Sequence, residues 1–262
     1  MTNKQFKPRG YIIYRGASML DGKPIVVVAI TSKSSNVKTG DMVQTYILPD
    51  NGLSPVINAK LLNDVSVCGD CKHRRGLGGS CYVNLGQGVR AVADGVVRGI
   101  YPERVLAPSI ACKGRKVRLG TYGDPMAAPF EVWEGIIDVS EGYTGYSHQW
   151  DNQIICNAHP EHYKAIMQLC MASTDTLGET LKAKLAGYRT FRVRRATDAA
   201  LLHEFECPAS AEQNKRLTCD KCLACDGTRQ LGDDSAPSKH SKLRASPVII
   251  VHGSLKNRFQ GV

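Results

Sequence analysis

Four of the ten cysteines in this 262-residue chain, Cys207, Cys219, Cys222 and Cys225, follow the spacing C-x11-C-x2-C-x2-C. Two-residue gaps let successive thiolates wrap one centre. Three cysteines at this pitch hold three corners of a [4Fe-4S] cube in ferredoxin-type runs, which leaves Cys207 for the fourth. A tetrahedral zinc ion accepts the same four thiolates and is the alternative, but the overlapping C-x2-C-x2-C favours the cluster. Asp220, Lys221 and Asp226 make the stretch too polar for cysteines that merely pack.

A second group begins at Cys68-Gly-Asp-Cys71 and continues across the basic, glycine-rich residues 72–80 to Cys81, with Cys112 beside Lys113, Arg115 and Lys116. Three thiolates could hold a metal with one open position, and Cys112 would close it into a structural site. The competing reading is a turn shaped by Gly69 and Gly78-Gly79, with the thiols as bystanders. Cys156 and Cys170 adjoin apolar runs and read as small core residues.

A metal reading suits the rest of the chain. Residues 1–10 have no signal-peptide core, and no apolar run approaches the ~20 residues of a membrane helix, so the expectation is a cytoplasmic protein with reduced thiols. Lys and Arg number 34 against 24 acids, a formal charge of +10. Basic stretches at 72–75, 113–118 and 189–195 are candidates for phosphate or nucleic-acid contact, with a solvated basic surface as the plain alternative.

The elements that must position these residues change character along the chain. Three β-rich runs, 11–14, 24–31 and 42–48, suggest an N-terminal antiparallel segment over residues 1–60, packed on a core spanning 61–262. From residue 65, short apolar runs alternate with helical periods, the pattern of βα units. Strands are expected at 65–67, 116–121, 142–148, 169–173, 190–193, 202–206 and 247–252, and helices at 89–98, 129–139, 160–168, 176–186 and 196–201. The expected fold is α/β, a TIM-like (β/α) barrel, complete or short of a strand, ahead of an open doubly wound sheet. The metal-binding loop is 207–225. The polar stretch 226–246 reads as a mobile surface loop.

Barrels of this class carry ligands at the carboxyl ends of their strands. That rule gathers Tyr122, Asp124, His148, Trp150, Asp175, Arg192, Arg194 and His252 into a pocket for a small-molecule ligand, with a centre at Cys207 near its mouth. Each residue alone has a structural alternative: Asp124 and Asp175 as turn or cap residues, the arginines as a solvated edge.

The segments VCGDCKHR, GSCYVN, RLGTYGDP, TGYSHQW, MASTD, RTFRV, CPAS and TCDKCLAC resemble, in combination and over about residues 65–253, an uncharacterised bacteriophage protein family. The resemblance implies a viral origin, hence the host cytoplasm, together with a TIM-barrel-like core and a [4Fe-4S] cluster on Cys207, Cys219, Cys222 and Cys225. A looser similarity is to radical S-adenosylmethionine barrels, which place three cysteines after the first strand. Their C-x3-C-x2-C differs from the C-x2-C-x9-C found here.

Three functions follow as expectations: a cluster protein with a structural or redox role; an enzyme acting on S-adenosylmethionine or a nucleotide at the barrel mouth; and a zinc-stabilised module that binds nucleic acid or a host protein.

Overall fold

The computed structural model describes residues 8–34, 36–103, 107–227 and 245–260. Most of the stretch expected to be a mobile loop, residues 228–244, lies outside them. Three β-branched, apolar runs form β1 (Gly10–Ala17), β2 (Pro24–Ile30) and β3 (Val43–Pro49), paired antiparallel in that order. β3 then pairs in parallel with β4 (Lys116–Tyr122), so the N-terminal strands continue the core sheet.

Between β3 and β4 lie α1 (Pro55–Lys60), α2 (Val65–Cys68), α3 (Gly88–Val97) and α4 (Ala107–Cys112). The strand expected at 65–67 is therefore a helical turn. Val67 and Cys68 both donate backbone bonds to the Asp64 carbonyl, and Gly69 ends the turn at a φ of +57°. A run this short cannot be told from a strand by its apolar pattern. The role expected of it, first parallel strand of the core, falls to β3.

The rest of the chain is α5 (Phe130–Ile137), β5 (Gly142–Thr144), β6 (Tyr146–Ser147), α6 (Gln153–Ala158), α7 (Pro160–Leu169), β7 (Met171–Thr174), α8 (Leu177–Leu185), β8 (Thr190–Arg194), β9 (Glu204–Glu206), α9 (Cys219–Cys222) and β10 (Ser246–Ile250); the strand expected at 142–148 is split between the two sheets as β5 and β6, and α6 and α9 were not expected. No helix forms at 196–201. Arg194 instead bonds the Asp198 carbonyl, which fixes a turn there. α8 is held at its start by a capping box between Thr176 and Glu179.

One sheet runs β1-β2-β3-β4-β5 and the other β6-β7-β8-β10-β9, the second parallel throughout. The two meet at Gly145, whose N–H bonds the Cys225 carbonyl at 2.9 Å and whose carbonyl accepts from Met171 N–H at 3.0 Å. Both orders are open, and β1 and β9 do not pair among the described residues, so the barrel does not close. The main core packs helices against the strands around Trp133, Ile136, Leu119, Ile47 and Ile166. A second, small core groups Met42, Cys207, Ala209, Cys219 and Ile249, with Phe191, Val193 and Leu223 against it. Among the described residues, no helix is long and apolar enough to cross a membrane.

Candidate metal centre and strand-end rim

The small core is where the C-terminal cysteines meet. Cys207 follows β9 and donates its N–H to the Val248 carbonyl of β10. α9 carries Cys219 and Cys222, and Leu223, in the left-handed region at a φ of +51°, turns the chain so that Cys225 comes back toward them. All four cysteines line one cavity, walled by Tyr146, Phe205, Pro208, Leu223 and Pro247. Their thiols are within electrostatic reach of one another.

Burial pushes the thiols of Cys219, Cys222 and Cys225 up, while the Ala224 N–H on Cys222 and the Tyr146 hydroxyl on Cys225 favour the thiolates. Such donors on sulfur are what a tetrathiolate centre uses in its outer shell. Among the described residues, no three His, Cys, Asp or Glu side chains close around a point at metal-ligand geometry. The thiols share a cavity wall and not a coordination sphere, but their number, softness and apolar casing fit zinc or a cluster.

Several ties hold this loop to the rest. Arg189 donates to the Ala224 and Gly227 carbonyls at 2.8 and 3.0 Å and to Asp226 at 2.7 Å. Asp220 accepts from the N–H of Asp41 and from the Thr218 hydroxyl. Gly227 abuts the carbonyls of Gln168 and Leu169. Residues 145, 168, 169 and 189 all sit where β6, β7 and β8 begin. The thiol-bearing loop thus packs at the amino ends of the strands, opposite the rim on which it was expected. Cys207 does follow a strand, but β9 is staggered beside the first half of β10, pairing Glu206 with Val248.

The carboxyl-end rim is a separate site. Asp124 accepts from the Ser147 hydroxyl at 2.9 Å and from the N–H groups of Met126 and His148 at 3.0 and 2.7 Å. Burial outweighs these donors and raises its carboxyl to about 6. Burial also holds the His148 imidazole down to about 4, so it is neutral at ordinary pH. His73 lies edge-on to His148 at 5.4 Å, with Phe259 stacked on it at 6.0 Å.

His73 Nε2 donates to Asp175 at 2.7 Å, and Nδ1 meets the Ser80 hydroxyl at 2.8 Å. Lys72 adds ion pairs to Asp175 and Glu179 at 2.9 and 2.6 Å. Burial alone would raise Asp175, but His73 and Lys72 win and hold it below the usual carboxylate range. The result is a hydrogen-bonded chain, Ser80–His73–Asp175–Lys72, that runs from a buried hydroxyl to the surface.

Cys68, Cys71 and Cys81 also gather here within electrostatic reach of each other, with Asp124 near Cys68, Asp124 and Asp175 near Cys71, and Arg75 and Asp64 near Cys81. Backbone bonds from Cys71 to Cys68 and from Cys81 to His73 fix that grouping. Tyr122 belongs with them, its buried hydroxyl unpartnered. Cys112 does not: it ends α4 in the main core, with Arg115 as its charged neighbour and a thiol raised to about 12 by burial.

No family model matches the chain, and neither a curated protein nor a solved structure does. Function must be read from the side chains.

Other expected pocket residues disperse. Trp150 is buried and donates to the Ser173 carbonyl at 2.9 Å. Arg192 and Arg194 point away from the strands' cysteine-bearing face and reach across β10 to Glu204 and Glu206. His252 lies against Tyr82, ring centres 5.0 Å apart, and Tyr82 accepts from Arg118 at 2.7 Å. Within the basic stretches Arg74, Arg118, Arg192 and Arg194 are buried, while Lys72, Lys113 and Arg195 are exposed. Ser80 sits in a run that reads as loop, and His73 and Arg118 in runs that read as charge, which marks those two only as candidates for phosphate or nucleic-acid contact. Arg118 left a further signal, a cation inside a parallel strand, where both faces are normally covered.

Proposed function

We propose that the chain is a cluster-binding protein, of the bacteriophage type its motifs resemble, in which Cys207, Cys219, Cys222 and Cys225 hold a [4Fe-4S] cluster inside an incomplete (β/α) barrel. The observation that carries this reading is the convergence of four thiols, from two separate chain segments, on one apolar-walled cavity. Zinc would use the same residues, and the overlapping C-x2-C-x2-C is what favours the cluster. When bound, the cluster supplies one-electron chemistry or a covalent staple. The chain supplies four thiolates, the Tyr146 and Ala224 donors that stabilise them, and a casing that keeps water away.

Anaerobic purification tests the assignment. The expected protein is brown, with broad absorption near ~400 nm and about four irons per chain, and Cys219→Ser with Cys222→Ser abolishes both signals. A colourless protein with one zinc would replace the cluster by a structural ion. A chain that holds neither metal would overturn the reading.

A second reading is enzymatic and is supported by the grouping of Cys68, Cys71 and Cys81 beside His73, Asp124 and Asp175. Three thiolates could bind a metal with one position left for S-adenosylmethionine or a nucleotide. Equilibrium dialysis of the reconstituted protein with S-adenosylmethionine tests it, and absence of both binding and cleavage would remove the radical version.

A further inference from the structure

Four arginine side chains are almost wholly buried: Arg74, Arg118, Arg192 and Arg194, at 7, 8, 5 and 7% exposure. Three have carboxylate partners. Arg74 pairs with Asp64 at 2.5 Å, Arg192 with Glu204 at 2.6 Å, and Arg194 with Glu206. Arg118 has no carboxylate within ion-pair distance among the described residues. Its Nη2 donates to the Tyr82 hydroxyl at 2.7 Å, its guanidinium carbon lies 5.6 Å from the centre of the Tyr146 ring, and its buried Nε has no partner at all.

Neutral phenols solvate a cation weakly, and an uncompensated buried charge is strongly unfavourable. Arg118 therefore requires an anion beside it. Its position says which one. Arg118 is level with Thr144 on the adjoining strand, and both Thr144 and Tyr146 line the thiol cavity. Cys219 and Cys225 are the cysteines that act on its guanidinium. Four thiolates around a zinc ion or a [4Fe-4S] core keep a net negative charge, which the rest of the cavity wall, apolar or neutral, cannot balance.

We propose that Arg118 is the counter-charge of the thiolate centre, a positioning residue buried against the anion that forms there when metal binds. This rests on the reading of Cys207, Cys219, Cys222 and Cys225 as metal ligands. Without metal the cavity holds no such metal-bound anion, and the buried cation has no carboxylate to match it among the described residues. With metal bound, the same cation stabilises the thiolates and, for a cluster, stabilises the more negative reduced form. Its effect on stability must therefore change sign with metal occupancy, which a purely structural arginine cannot do.

The test compares the wild type with Arg118→Met, which keeps the apolar stem, and Arg118→Lys, which keeps the charge. Metal release to a chromogenic chelator should be about 10- to 100-fold faster in Arg118→Met, the usual cost of losing an outer-shell partner, and Arg118→Lys should recover part of the loss. If the metal is iron, the midpoint potential of Arg118→Met should fall. The metal-free Arg118→Met protein should melt no lower than metal-free wild type, while the loaded form melts lower. Wild-type release rates in Arg118→Met, or equal melting losses in both forms, would overturn the role, as would an Arg118→Met chain that cannot fold without metal. A wild type that takes up neither iron nor zinc would instead overturn the thiolate centre itself.

Discussion

Asp124 shows how one residue can be legible in sequence for the wrong reason. The Asp-Pro pair marks a turn, and the carboxylate does cap one, accepting from Met126 N–H. It also binds Ser147 and His148 from the next strand, which makes it a hub between β4 and β6. Its folded pKa of about 6 lies above the ordinary value of 3.8. The protonated form therefore favours the fold: that stability is fully present below about pH 4 and is lost as pH rises through 6. The titratable groups facing it are the thiols of Cys68, Cys71 and Cys170, together with His148, which becomes protonated only as pH falls toward 4. Asparagine has no such titration. In urea unfolding of metal-free protein, wild type should lose about 2 kcal/mol relative to Asp124→Asn between pH 4 and pH 7. A gap that stays constant across that range would show that the buried carboxylate does not titrate there.

At the scale of elements, periodicity located what packing alone determines. β2, β3, β4, β8 and β10, and α3, α5, α7 and α8, lie within a few residues of where their apolar patterns put them. Failures came where local bonds within a few residues decided. Asp64 and Gly69 wind residues 65–68 into a helix, and Arg194 ties 195–198 into a turn. Spacing brought Cys207, Cys219, Cys222 and Cys225 to one cavity but could not say at which end of the strands, since Arg189 and Gly145 decide that from far away in sequence. Gly145 is the joint on which this placement depends. A Cβ there would lie 2.8 Å from the Cys170 sulfur, and the backbone is bonded to both Cys225 and Met171. Gly145→Val should cost about 1–3 kcal/mol through overpacking. Because the same residue anchors the thiol loop, the variant should also lose metal to a chelator faster. An unfolding midpoint and release rate equal to wild type would show that the two sheets are not joined there.

The whole molecule has two cores of unequal size, and they should respond differently to metal. The large one, beneath β1 to β7, buries Trp133 and many aliphatic side chains. The small one has five buried residues, two of them the cysteines Cys207 and Cys219. It is roofed by β9, only three residues long and at the edge of its sheet, and by the four-residue α9. So few apolar contacts cannot offset the backbone entropy of ordering residues 204–227, about 1–2 kcal/mol for each residue fixed. Arg192–Glu204 and Arg194–Glu206 hold β9 in place, but buried ion pairs add little net stability. If the four thiols hold a metal as proposed, its binding becomes local folding energy. At a ligand concentration a thousandfold above its dissociation constant it supplies about 4 kcal/mol. Stripping the metal with a chelator should abolish amide-exchange protection in residues 204–227 and weaken it in β10, with β2, β3 and β4 unchanged. If protection falls evenly across both sheets, the small core is not a separate cooperative unit. If protection persists in residues 204–227 after complete metal loss, the thiol loop orders itself without metal, and the centre serves chemistry and not folding.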